Sequence, residues 1–254
     1  MLGTAMTTLI TIPFSHYCEK ARWALDRVGV TYEEHGHLPL FHYLESWRRG
    51  RNRTVPVVID GKTVIKDSTD IIAWADAKRP GSLIPVAGAQ ELLAIEDDLD
   101  NHFGPHTRRW GYFHLLPNRA TDRHISVGVP RWETALLGLT RPLAVRFLRR
   151  SLKIDAAGAE RSREKIEATF DRVEQIMGDG RRYFAGDRFT VADLTFAALA
   201  APIVLPPNHP VQTFGLELFS DDARAQVERW RERPAGQFAL RVYADDRAGL
   251  RQAA

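Results

Sequence analysis

The spacing of apolar and polar residues changes character near residue 83. Before that point, short β-branched runs alternate with helical stretches. Residues 7–12, TTLITI, form one such run and predict a strand. Pro13-Phe14-Ser15 breaks it, after which Ala21, Ala24, Leu25 and Val28 recur at helical spacing. Gly29 stands where a helix C-cap belongs. Val30-Thr31-Tyr32 restarts an extended segment, and strand–helix–strand implies a parallel pair with a right-handed crossover. A short helix-like stretch, His42 to Arg49, precedes two β-rich runs that flank Asp60-Gly61, a strong hairpin signal. Asp67-Ser68-Thr69 supplies an N-cap for a helix through Ile71, Ile72 and Ala75, stopped by Pro80-Gly81.

From Gln90 onward strand signals nearly vanish. Helices are expected near 90–103, 106–117, 131–150, 160–178, 190–203, 221–233 and 235–246. The expected organisation is an α/β domain over residues 1–82, a linker at 83–88, and an all-helical domain over 89–254. Strand–helix–strand, short helix, hairpin and helix within some 80 residues is a thioredoxin-like arrangement.

Composition narrows the possibilities. The hydrophobic share of 44% suits a chain with a packed core. No run approaches the roughly 18 apolar residues of a membrane span, and the opening MLGTAMTTLITIPF lacks secretory-signal features. The one cysteine, Cys18, has no intramolecular partner, which fits a reducing, cytoplasmic setting. The formal charge is only +3, and acidic residues are interspersed with basic ones. Such a pattern lacks the basic stripe of a nucleic-acid binder. Neither nucleic acid nor membrane is therefore expected as a partner.

Three motifs together resemble the glutathione S-transferase superfamily over nearly the whole chain. They are PFSHYCEKARWAL at 13–25, TVPVVIDGKTVIKDSTDIIAWA at 54–75 and AGDRFTVADLTFAAL at 185–199. The resemblance implies a thioredoxin-like domain that holds glutathione, an all-α bundle that shapes a second pocket, and a homodimer. It also implies an activity: conjugation of glutathione to a small electrophile, or its use in a reduction.

Each motif has its own chemistry. A free thiol is a weak nucleophile near neutral pH, because the thiolate is the reactive form and its pKa is about 8.5. A helix N-terminus and a hydroxyl both stabilise such an anion. Ser15 stands at the start of the first helix. Aligning Arg22 with the family's helix arginine puts Ser15 where serine-type members keep their activating residue. Ser15 also serves as an N-cap, and the roles are compatible. Cys18 is a second candidate, either for mixed-disulfide chemistry or as a buried small hydrophobe; His16 and Tyr17 lie beside it.

In the second motif, the resemblance makes Pro56 a cis proline, so that Val55 pairs with the cysteinyl backbone of the tripeptide. Asp67 and Ser68 suit its γ-glutamyl end, by helix N-terminus, hydroxyl and carboxylate. Capping alone would equally explain that pair. The glycyl carboxylate needs a cation or donor: Arg53 is the chosen candidate, beside Arg51 and His42. The bulky segment LPLFHYLESWRRGRNR departs from the simpler family pattern.

In the third motif, Thr190 and Asp193 read as a structural capping box. The substrate pocket is expected to be lined by His102, Phe103, His106 and Trp110. His102 and His106 have metal-ligand spacing, but Gly104-Pro105 interrupts the helix between them and no third ligand is evident, so no metal is expected. An alternative reading is a non-catalytic protein that keeps the fold to bind an apolar ligand or a protein partner.

Overall fold

A computed structural model of the chain describes residues 6–211 and 214–250. Strand β1 (Thr7–Thr11) leads through a tight turn into helix α1 (His16–Val28), and Gly29 ends that helix at φ 76°. Strand β2 (Tyr32–Gly36) and helix α2 (His42–Gly50) follow. The hairpin β3 (Val57–Asp60) and β4 (Thr63–Lys66) leads to helix α3 (Ser68–Lys78). The sheet order is β2-β1-β3-β4, with β1 and β2 parallel and the other neighbours antiparallel. This is the mixed sheet of a thioredoxin-like domain.

Residues 81–88 form neither helix nor strand. Beyond them lie α4 (Ala89–His102), α5 (Gly104–Leu115), the short α6 (Asp122–Ile125), α7 (Arg131–Ser151) and α8 (Ala156–Met177). The series ends with α9 (Val191–Val204), α10 (Asp221–Glu232) and α11 (Pro234–Val242), which runs on into a wider turn at Tyr243–Arg247. All seven expected helices are present. The turn at 119–125 was not expected, being too short to show a period.

The core explains the layering. Helix α9 is apolar on nearly every face and almost wholly buried, so it must run through the middle of the bundle. It packs against α1, α4, α5 and α11. Phe196 stacks on Phe103 and Phe238 at centroid distances of 5.4 and 5.8 Å. Its start is fixed by Asp193, which accepts the N–H of Thr190 at 2.7 Å and that of Phe184 at 2.8 Å. The expected capping box is therefore formed, with a third N–H donor added.

Helix α1 is the hinge between the two layers, since it packs on α3 and on α9. Gly104 permits the closest approach: a Cβ there would lie 2.5 Å from the hydroxyl of Tyr17. That hydroxyl donates to the carbonyl of Asp100 at 2.9 Å. Sheet domain and helical bundle are thus joined directly beside the N-terminus of α1.

Candidate functional site

Strand register gathers the candidate residues. Ile10 pairs with Val57, and Val57 pairs with Lys66. Consequently the turn after β1, the Val55-Pro56 corner before β3 and the Asp67-Ser68 corner after β4 emerge at one end of the sheet. Thr11 pairs with Gly36, so the segment after β2 emerges there too. The Val55–Pro56 peptide bond is cis.

Ser15 is the N-cap of α1, with extended backbone (φ −74°, ψ 125°). Its own N–H donates to Ile12 at 2.9 Å and its carbonyl accepts from Glu19 at 2.9 Å. The side chain makes no capping hydrogen bond, so the sequence reading that it caps with its hydroxyl does not hold. That hydroxyl instead lies against the Cys18 thiol. The turn is secured from beneath by Arg22, whose guanidinium donates to the Pro13 carbonyl at 2.9 Å and to Glu34 at 2.6 Å.

Cys18 is completely buried, and burial pushes its thiol up to about 11. Such a thiol stays protonated at neutral pH. The geometry therefore opposes a catalytic role for Cys18 and fits the small-hydrophobe reading.

His16 is also buried. Its Nε2 lies 3.0 Å from the Gly104 carbonyl and must donate there, since a carbonyl can only accept. Burial, helped by the nearby Arg108 charge, lowers its pKa to about 3, so it is neutral. Arg108 also sits over the Tyr17 ring at 5.7 Å and raises the local positive potential around the start of α1. Sequence reasoning missed Arg108, and its spacing of four from Tyr112 on α5 was the available signal.

At the opposite corner, Asp67 adopts φ 77° and accepts the N–H of Thr69 at 2.9 Å. Ser68 is buried. Behind them Lys20 is enclosed by Glu96 and by Asp100, the latter at 2.5 Å, while the Thr69 hydroxyl donates to Glu96 at 2.7 Å. Two carboxylates around one lysine, with Asp67 close to Asp100, leave this corner acidic, which suits a ligand ammonium. Arg53 is exposed and lies in a groove with Leu40, Tyr43, Trp47 and Phe147.

Of the residues expected to line a substrate pocket, none belongs to the apolar cleft that contains Phe14, and His102 and His106 line a separate open pocket against α8. Phe103 is sealed between Phe170 and Phe196, and Trp110 packs edge-to-face on Trp230 at 4.6 Å. His102 faces solvent beside Asp98, while His106 meets the Ser162 hydroxyl at 3.1 Å. The reason is the phase of α4 and α5: these positions face α8, α9 and α10. Among the described residues no three His, Cys, Asp or Glu side chains converge as metal ligands.

The apolar cleft opens beside Phe14, the residue that precedes Ser15 in the turn. Its walls include Phe14, Leu38, Tyr112, Ile125, Leu137 and Phe214, and the space they enclose is about 60 Å³. Phe14 stands 6.3 Å from the Tyr112 ring and 6.0 Å from that of Phe214. Burial pushes the Tyr112 hydroxyl up to about 12, which keeps it a neutral donor. Glu133 of α7 holds the wall in place by accepting the Leu38 N–H at 2.7 Å and meeting His37 Nδ1 at 2.5 Å.

Comparison with known proteins agrees with this architecture. Residues 9–83 match the glutathione S-transferase N-terminal domain, and residues 156–233 match the glutathione S-transferase C-terminal domain. The chain belongs to the glutathione S-transferase superfamily. Among solved structures it is similar to a glutathione S-transferase of Ceriporiopsis subvermispora in complex with glutathione, at TM-score 0.64 and 16% identity over 96% of this chain and 98% of that one. It is also similar to a glutathione transferase of Burkholderia graminis with two glutathione molecules bound per subunit, at TM-score 0.62 and 20% identity over 97% and 86%. A third is Ure2p5 of Phanerochaete chrysosporium with 1-(S-glutathionyl)-2,4-dinitrobenzene, at TM-score 0.56 and 19% identity over 98% and 99%. No curated protein matches the chain by sequence. As a superfamily member it carries its cleft between the sheet end and α7, bounded by loop 37–41.

Proposed function

We propose that this protein binds glutathione at the end of the sheet and conjugates it to an apolar electrophile held in the cleft beside Phe14. The observation that carries this reading is the convergence of the Ser15 turn, the cis Val55–Pro56 corner and the Asp67-Ser68 corner at one sheet end. In this reading Val55 pairs with the cysteinyl backbone through its N–H and C=O. Asp67 attracts the γ-glutamyl ammonium, and the α3 N-terminus with Ser68 takes the adjoining carboxylate. Arg53 takes the glycyl carboxylate.

The thiol sulfur then lies over the N-terminus of α1. Rotating χ1 of Ser15 redirects its hydroxyl from the Cys18 sulfur to the ligand sulfur, where it donates a charge-assisted hydrogen bond. The helix N-terminus and the Arg108 charge add to the stabilisation. Each pKa unit by which the thiol is lowered corresponds to about 1.4 kcal/mol. The thiol gives up its proton to solvent, the thiolate attacks the electrophile, a new carbon–sulfur bond forms, and the leaving group departs with its electron pair. Tyr112 is placed to donate to that group. The wider expectations of a cytoplasmic protein, a homodimer and a detoxifying role belong with this proposal.

The apolar cleft favours one second reading, a protein that holds an apolar ligand without turnover. Retention on immobilised glutathione, with turnover of an aryl halide that collapses in Ser15→Ala, supports conjugation. Neither retention nor turnover supports the second reading.

A further inference from the structure

Helix α7 has two apolar faces, and the cleft accounts for only one. Leu137, Ala144 and Leu148 turn inward to line the cleft. Trp132, Leu136, Leu139, Leu143 and Phe147, spaced by four, three, four and four, turn outward into solvent. Leu139 is 81% exposed and Leu143 66% exposed, values that side chains of this size reach only when nothing covers them. The stripe runs about 22 Å along the helix. It continues onto α2, where Leu44 and Trp47 are 67% and 64% exposed and Phe147 shares their groove. Trp132 and Phe41 stack edge-to-face at 5.3 Å where the two elements meet.

The flanks of this stripe are basic. Arg131, Arg146, Arg149 and Arg150 project from α7, and Arg48 projects from α2, all exposed. Among the described residues none of these five is in an ion pair. The acidic residues on the same elements are already engaged: Glu133 is buried against Leu38 and His37, and Glu45 lies against Arg49 and His35. An unpaired arginine rim around exposed tryptophans and leucines is the composition of a surface that lies in a lipid interface.

We infer that the α2–α7 face docks on an anionic lipid bilayer. The Trp and Leu side chains enter the boundary between headgroups and acyl chains, and the arginines pair with lipid phosphates and carboxylates. Charge decides against a second copy of the chain. A two-fold contact would set this same arginine rim against itself, and like charges facing each other oppose association. Among the described residues no helix is long and apolar enough to cross a membrane, but docking needs none. The expectation of no membrane partner rests on overall charge near balance, which conceals this local basic face. Docking can be tested apart from thiol chemistry at Ser15, since Leu139, Leu143, Arg146 and Arg149 line neither the cleft beside Phe14 nor the groove that holds Arg53.

The test is flotation of the full chain with vesicles of phosphatidylcholine containing roughly 30% phosphatidylserine, against vesicles of phosphatidylcholine alone. The expected result is flotation with the anionic vesicles only, weakened by salt, with a blue shift of tryptophan emission. The double variants Leu139→Glu/Leu143→Glu and Arg146→Glu/Arg149→Glu should each lower the bound fraction about tenfold or more. Unchanged circular dichroism and glutathione retention separate that loss from unfolding or from failure of the thiol site. Equal flotation of wild type and both variants, or no flotation, overturns the proposal. So does a dimer that Leu139→Glu/Leu143→Glu dissociates in the absence of vesicle binding, which would assign the face to a second copy.

Discussion

Arg247 donates from Nε to Glu19 Oε1 at 2.6 Å, and both side chains are buried. The same guanidinium reaches Asp26 at 2.7 Å, while Arg22 approaches Glu19 from the other side at 3.2 Å. The segment after α11 is therefore clamped to α1, one turn below the candidate thiol site. Burial alone would raise the Glu19 pKa. Arg247, His209 and Arg22 outweigh it and hold the carboxyl down at about 2. A depressed folded-state pKa contributes stability above the unfolded value of 4.5, and that contribution is lost as pH falls toward 2. The shift corresponds to about 3 kcal/mol. Urea melts between pH 6 and about pH 3 should show a fall of about 2 kcal/mol from this group, the rest being lost below pH 3, and Glu19→Gln should be less stable at pH 6 with a flatter acid limb.

Cys18 should behave as a core residue. Aromatic disulfide reagents should label it only on unfolding, because the thiol is fully enclosed and protonated. Cys18→Ala should retain turnover within about twofold. Loss of activity that tracks modification of Cys18 in the folded protein would contradict this placement.

The position of the cleft separates two substitutions. Ala144→Phe fills the cleft wall and should raise KM for apolar electrophiles about tenfold, leaving glutathione affinity unchanged. Trp110→Ala removes a buried ring packed edge-to-face on Trp230 and should cost about 3–5 kcal/mol of stability without a specific effect on substrate choice. Steady-state kinetics with thermal melts on both variants distinguishes the assignments.

Glu133 links α7 to the loop after β2. Glu133→Ala leaves the buried Leu38 N–H without its acceptor and should destabilise the fold by about 2 kcal/mol. Hydrogen exchange should quicken at residues 37–41 first. Protection there equal to wild type would show that the contact does not hold the cleft wall.

Local signals made most of the scaffold legible in the sequence. The β-branched run at 7–12, the Asp60-Gly61 turn and the Thr190/Asp193 box each specify their element within a few residues of chain, and each is present. The cleft was not legible. Phe103 and Trp110, seven apart, and Arg108 and Tyr112, four apart, both fit a helical period, and periodicity alone does not say which face meets α9 and which meets the sheet end. That choice is made by the Tyr17–Gly104 contact, which sets the phase of α5 against α1. The contact of the Ser15 hydroxyl with Cys18 was equally hidden, since it depends on the sulfur three residues along the helix.

The most direct measurement is the thiolate absorbance of bound glutathione, titrated on wild type and on Ser15→Ala. Wild type should hold the thiol at least about one unit below its free value near 8.5, and Ser15→Ala should return it most of the way while binding persists. The same titration curve for both proteins, with tripeptide bound to each, would contradict the assignment of the hydroxyl to the sulfur anion.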